Sequence, residues 1–310
     1  MALAAMLVAG LLLLLIGGDL LVRGSVRTAL ALGVSPLLIG LTLVGFGTSA
    51  PELLTSVQAA LLNAPGIAVG NVVGSNIANV LLILGLAASL RAIPCARGAF
   101  TRDAIAMAVA AVLFVVLAMT GNLSRVDGTI LLLALAAYLV VAWRTEQEPP
   151  DEVREATTQT VHMGRALLIA LAGLVGILVG ARLLVTGAID LAELAGVDEA
   201  LIGLTVVAIG TSLPELAASL AAVRKKQGDV AFGNVIGSTI FNLLSILGIT
   251  ALVKPLAIPA SILDFDLWVM LAVIAMIILM GFTQARISRW EGALCLLLYA
   301  GYITALAHGY

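Results

Sequence analysis

Gly47-Thr48-Ser49-Ala50-Pro51-Glu52 and Gly210-Thr211-Ser212-Leu213-Pro214-Glu215 are one phrase written twice, 163 residues apart, each inside an apolar stretch. A glutamate at bilayer depth costs about 2.5 to 3.5 kcal/mol on insertion scales and therefore marks a functional site. Each of these two stands beside a proline, which has no amide hydrogen and whose ring clashes with the carbonyl four residues earlier. Pro51 should free the carbonyl of Gly47, and Pro214 that of Gly210. In hydrocarbon a freed carbonyl survives only where protein or a wet cavity covers it, so two helix breaks are expected to meet at one shared, polar site.

The rest of the chain supports a membrane setting. Of 310 residues, 62% are hydrophobic and 11% charged, against about 45–50% and 25% in soluble domains, and the mean hydropathy is +1.16. With about 20 apolar residues per crossing, hydropathy places ten spans, at 2–22, 34–62, 66–90, 103–121, 126–143, 165–186, 197–223, 229–252, 264–283 and 290–308. The fold class expected is an all-α membrane protein. The first span lacks a basic leader and has an internal copy, so it reads as a retained helix. Cys95 and Cys295 are too few and too scattered for a metal set or a disulfide framework.

The repetition extends without a gap from Gly17/Gly180 to Gly85/Gly248, and about half the positions between Gly40 and Gly85 are identical in the second copy. Shared apolar composition does not account for Thr42/Thr205, Ser56/Ser219, Asn71/Asn234, Ser75/Ser238 and Asn79/Asn242. The organisation read from this is a first five-helix repeat over 1–143 with its motif at 40–85, a linker at 144–164, and a second repeat over 165–310 with its motif at 203–248. Five spans per copy is an odd number, so the copies enter the membrane from opposite sides. Inverted repeats with interrupted helices at the midplane are the build of many secondary transporters. Arginine and lysine concentrate at alternate loops, leaving Arg125, Arg182 and Lys254 on the poor side. The positive-inside rule then puts both termini outside a plasma (cell inner) membrane and the linker in the cytoplasm.

Thr48, Glu52 and Ser56 recur every four residues, as do Thr211, Glu215 and Ser219; Asn71, Ser75 and Asn79 form another stripe, repeated by Asn234, Ser238 and Asn242. Ser49 and Ser212 lie three residues before each glutamate. These side chains offer only carboxylate, amide, hydroxyl and carbonyl oxygens. Such a set suits a hard cation, and Ca²⁺, with six to eight oxygens in flexible geometry, better than Mg²⁺. Two carboxylates balance one divalent ion. Gly70-x-x-x-Gly74 and Gly233-x-x-x-Gly237 read as helix-packing surfaces; no GK[ST] follows them, so a nucleotide is not implied, and nothing suggests nucleic acid, a cofactor or an obligatory protein partner.

At these motifs the chain resembles the sodium/calcium exchanger family, whose two repeats carry G-T-S-x-P-E/D followed by G-S-x-x-x-N/D, here Gly74-Ser75 to Asn79 and Gly237-Ser238 to Asn242. The resemblance implies Na⁺ and Ca²⁺ as transported ions, Glu52 and Glu215 as central Ca²⁺ ligands with Thr48 and Thr211 beside them, and Ser49, Ser212, Ser75 and Ser238 shared with Na⁺. It further implies ligands at Asn79 and Asn242, backbone carbonyl ligands at Gly45 and Ala208, helix breaks at Gly47, Pro51, Gly210 and Pro214, and movement of the first and sixth helices across the rest. Relatives that depend on K⁺ carry an aspartate where Asn242 stands, which argues against K⁺ dependence; the short linker holds no Ca²⁺-sensing insert. A Ca²⁺/H⁺ antiporter is the alternative, although proton-coupled relatives show a G-N-x-x-E signature. Protons competing for the two carboxylates are expected under either reading. Prolines and inverted repeats suit alternating access better than a passive channel, and the spans hold no His-Glu, Ser-His or aspartate-dyad motif of an intramembrane enzyme.

Overall fold

In the computed structural model, which describes residues 2–95, 97–145, 162–194 and 208–308, nearly every element is helical. The chain runs α1 (Ala2–Leu32), α2 (Pro36–Thr48), α3 (Ala50–Leu61), α4 (Pro65–Leu90), α5 (Arg97–Ala118), α6 (Arg125–Thr145), α7 (Met163–Leu194), α8 (Ala208–Thr211), α9 (Leu213–Arg224), α10 (Gly228–Val253), α11 (Leu267–Gln284) and α12 (Arg289–Ala307). Among the described residues eight helices are long and apolar enough to cross a membrane, and α2 with α3 makes a ninth span, bent by 43°. Of the span expected at 197–223, α8 and α9 are described, and 197–207 lie outside the described residues.

Two expected span ends require correction. The first helix was expected to end near 22 and the sixth near 186, but α1 runs to Leu32 and α7 to Leu194. Hydropathy marks only the lipid-crossing part; α1 continues for ten more residues, bearing exposed Arg23 and Arg27.

The inverted duplication is visible in two features the hydropathy pattern does not contain. Two short antiparallel ribbons sit at opposite ends of the bundle. One pairs β1 (Ile93–Pro94) with β4 (Arg286–Ile287), the other β2 (Asn122–Leu123) with β3 (Leu256–Ala257). Adding 163 to the first strand of one ribbon gives a strand of the other, so the repeat operation exchanges the ribbons and therefore the two ends. The second feature is an aspartate–tyrosine clamp in each copy: the Tyr138 hydroxyl donates to Asp103 at 3.2 Å, and that of Tyr302 to Asp266 at 2.8 Å. Each ties the fourth helix of a repeat to its fifth.

The α1–α7 pair is held by small residues. A Cβ on Gly10 would lie 2.9 Å from the Gly180 carbonyl oxygen, on Gly24 2.2 Å from the Ala170 nitrogen, and on Gly173 2.2 Å from the Leu21 nitrogen. In lipid no hydrophobic force drives helices together, so close van der Waals approach through glycine is what binds them. The expected packing role holds for Gly233 and Gly237, whose added Cβ atoms would come within 2.7 Å of Leu37 O and 2.4 Å of Leu41 O. Gly70 and Gly74 show no such approach among the described residues; the counterparts of Leu37 and Leu41, residues 200 and 204, lie outside them. The outward face is apolar, with Val126, Leu133 and Leu168 each about two-thirds exposed (65–68%), the reverse of a soluble protein and the expected face toward lipid. Cys95 and Cys295 are buried and form no disulfide. Burial pushes the Cys95 thiol, beside β1, up to about 12.

Candidate ion-binding site

Both prolines do what their chemistry dictates. The helix of the first copy breaks at Ser49 (φ −81°, ψ 6°) and that of the second at Ser212 (φ −88°, ψ 3°), which sets Pro51 and Pro214 in the opening turns of α3 and α9. Glu52 and Glu215 fall in those same first turns, and each side chain is 1% exposed. The two breaks meet: Ser49 Oγ donates to Glu215 Oε1 at 2.8 Å, across 166 residues of chain. Thr48 Oγ1 donates to Asn234 Oδ1 at 3.2 Å, and Ser238 Oγ to the Gly45 carbonyl at 3.2 Å. Atoms from α2, α9 and α10 therefore enclose one volume.

Several oxygens there have no bond. Both carboxylate oxygens of Glu52, Oε2 of Glu215, both amide atoms of Asn79 and Oδ1 of Asn242 are buried without a hydrogen-bond partner among the described residues. Buried polar groups left unmade are expensive; apart from Nδ2 of Asn79, a donor, these unpaired atoms are five oxygens, the kind of acceptor a bare cation satisfies. No group of three or more His, Cys, Asp or Glu side chains placed to hold a metal ion together occurs among the described residues.

The polar stripes divide by role. Asn71 Nδ2 donates to the Glu52 carbonyl at 3.2 Å and to Ser56 Oγ at 3.0 Å; Asn234 Nδ2 does the same for Glu215 and Ser219, at 3.1 and 2.9 Å. These pairs anchor the backbone just below each carboxylate and tie it to the following helix. Asn79 and Asn242 sit two turns further along, and each opens a π turn, Asn79–Leu84 and Asn242–Ile246, a local irregularity frequent at functional sites. Thr48, Ser49, Ser75, Ser212 and Ser238 are buried near these groups; Thr211 is half-buried, and Ala208 opens α8. The stripes pointed to Asn79 and Asn242 but gave no sign of Asn76, fully buried one helical turn before Asn79 and bonded to Asn242.

α7 leans on both breaks. A Cβ on Gly47 would strike Leu174 at 2.7 Å and one on Gly210 would strike Val185 at 2.4 Å. Beside the second break, toward the β2–β3 end, a cleft of about 490 Å³ opens between α7 and α3, lined by Leu54, Ala181, Arg182, Thr211 and Pro214. Its repeat-related counterpart toward the β1–β4 end is shut. There Gly18 and Ala217, equivalent to Ala181 and Leu54, are packed together, with an added Cβ on Gly18 3.1 Å from the Ala217 oxygen. Asp19, equivalent to Arg182, pairs with Lys225 at 2.5 Å.

Inverted halves, helices broken at a shared acceptor cluster, and a cleft open on one side and closed on the other define a secondary transporter. A family model described as sodium/calcium exchanger protein matches residues 2–144 and again 165–307, and this chain belongs to that family of transporters. It is 34% identical to the sodium/calcium exchanger MaX1 of Methanosarcina acetivorans, over 97% of each chain. It is 36% identical to the inner membrane protein YrbG of Escherichia coli, covering 98% of this chain and 95% of that one. Among solved structures it superposes on the sodium-calcium exchanger NCX_Mj, soaked with 2.5 mM Na⁺ and 0.1 mM Ca²⁺, with a TM-score of 0.88 at 33% identity over 99% of both chains.

Proposed function

We propose that this chain exchanges Na⁺ for Ca²⁺ across a cell membrane by alternating access. The observation that carries the reading is the pairing of the two breaks through Ser49 and Glu215 around carboxylate and amide oxygens that lack donors. In this reading Glu52 and Glu215 hold Ca²⁺ together, neutralising its two charges. Thr48, Thr211, Ser49, Ser212, Ser75, Ser238, Asn79, Asn242 and the carbonyls of Gly45 and Ala208 complete the oxygen shells of Ca²⁺ and of the Na⁺ ions that replace it. Residues 1–143 and 165–310 act as the two halves, with 144–164 as a cytoplasmic linker and both termini outside the plasma membrane. The open cleft then faces outward, and α1 with α7, welded by glycines, slides as one body to open the opposite side.

Vesicles holding purified protein, loaded with Na⁺ and diluted into Na⁺-free buffer, are expected to accumulate radioactive Ca²⁺ without K⁺ and without any added protein. Vesicles loaded with K⁺ should not. Uptake driven by a pH gradient alone would overturn Na⁺ coupling in favour of Ca²⁺/H⁺ exchange.

The Asp19–Lys225 pair crosses from α1 to the turn after α9, so it must part when α1 slides. Half-exposed pairs are worth about 0.2–1 kcal/mol. Asp19→Asn is therefore expected to raise the modification rate of an Ala217→Cys probe by membrane-impermeant thiol reagents from the cytoplasmic side about 1.4- to 5-fold, the population shift such an energy gives. An unchanged rate would show that the pair does not seal that side.

A further inference from the structure

Asn79 and Asn242 are repeat counterparts, each 1% exposed and each the first residue of a π turn, yet their surroundings differ. Neither amide atom of Asn79 has a partner among the described residues, whereas of Asn242 only Oδ1 lacks one. Asn242 Nδ2 donates to Asn76 Oδ1 at 3.1 Å. Asn76 Nδ2 in turn faces the sulfur of Met270 on α11, at 3.9 Å. Asn76 and Met270 are both fully buried. In the other copy the place of Asn76 belongs to Thr239, whose hydroxyl donates to the Val235 carbonyl of its own helix at 2.9 Å and so is not spent on Asn79.

The chemistry of these groups imposes a direction. A thioether sulfur is a weak acceptor and never a donor, so Met270 favours the Asn76 rotamer that turns its NH₂ toward α11. The Asn76 oxygen then faces Asn242 and selects the Asn242 NH₂. What is left of Asn242, its carbonyl oxygen, points away from this relay with no partner. For a cation the two ends of an amide are opposites, one a ligand and the other a repulsive pair of N–H dipoles, so the orientation decides whether Asn242 binds or repels. We propose that Asn76, oriented by Met270, is a positioning residue that turns the carbonyl oxygen of Asn242 toward the cations, making it a better-defined ligand than Asn79. The proposal rests on the reading above that Asn242 is a cation ligand.

The test is a double-mutant cycle in proteoliposomes, with half-saturating Na⁺ and Ca²⁺ measured separately. Asn76→Ala is expected to weaken the half-saturation of whichever cation Asn242 holds about 3- to 10-fold, the worth of one buried hydrogen bond, and to leave the other cation within twofold. Met270→Leu, which keeps the volume, should shift the same cation in the same direction by less. In an Asn242→Asp background a carboxylate presents an oxygen in either orientation, so neither substitution should shift it further. Equal penalties in both backgrounds would show a packing role and overturn the proposal while leaving Asn242 a ligand. If Asn242→Asp and Asn242→Ala both leave the two half-saturations unchanged, Asn242 is no ligand and the reading beneath the proposal falls with it. Should Asn76→Ala fail to fold, the Met270→Leu cycle decides alone.

Discussion

Glu52→Gln and Glu215→Gln are each expected to reduce Na⁺-dependent Ca²⁺ uptake to the background of protein-free vesicles, at least about 100-fold, with the protein still inserted and folded. The two carboxylates are 1% exposed, and a buried ion is tolerated only when its charge is balanced. Two carboxylates balance Ca²⁺; a glutamate and a glutamine leave one positive charge uncompensated, and 100-fold corresponds to about 2.7 kcal/mol, well below the several kcal/mol that an unpaired buried charge costs. The substitution preserves volume, so packing is not at issue.

The two variants should separate in stability. Glu52 has no hydrogen bond to lose among the described residues, and removing an unpaired buried charge relieves its desolvation. Glu52→Gln is therefore expected to unfold in cation-free detergent at or above the temperature of the parent, and to lose the stabilisation that Ca²⁺ confers by binding the native state. Glu215→Gln gives up a charge-assisted bond from Ser49 and should melt lower. Full Ca²⁺ transport by both variants would dismantle the shared site.

The second large effect concerns the α1–α7 pair, which is proposed to move. Gly173→Val is expected to abolish folded protein or to lower its stability by about 3 kcal/mol or more, because the new Cβ would stand 2.2 Å from the Leu21 backbone nitrogen and 2.7 Å from the Gly17 oxygen. Neither backbone atom can step aside, so α1 and α7 must separate, and overpacking at even flexible neighbours costs about 1–3 kcal/mol. Gly301→Ala provides the contrast. A Cβ there meets nothing within 4 Å, and exchanging glycine for alanine in a helix gains up to about 1 kcal/mol. Thermal unfolding of the two variants in detergent should thus move in opposite directions. Equal melting temperatures for Gly173→Val and the parent would show that α1 and α7 are not welded by close backbone contact.

Much of this protein follows from its amino acids alone. Proline chemistry placed each helix break to within two residues, at Ser49 and Ser212, since a ring without an amide hydrogen is tolerated in a helix's first turn but not in its interior. The intramembrane cost of Glu52 and Glu215 singled them out for the proposed site, and an odd number of spans per copy required the copies to be inverted. These are local or counting arguments that need no partner. Other features depended on tertiary structure because they involve groups far apart in the chain. The stripes made Asn71, Ser75 and Asn79 look alike, but α3 engages Asn71 as a backbone anchor and leaves Asn79 without a bond. Asn76 looked like one more amide until Met270, 194 residues away, gave it a direction. Most of all, a repeated sequence is nearly symmetric and is silent on which side is open. Gly18 against Ala217 closes one path while Ala181 and Leu54 line an open one, because two halves sharing one site cannot both take the same position against it at once.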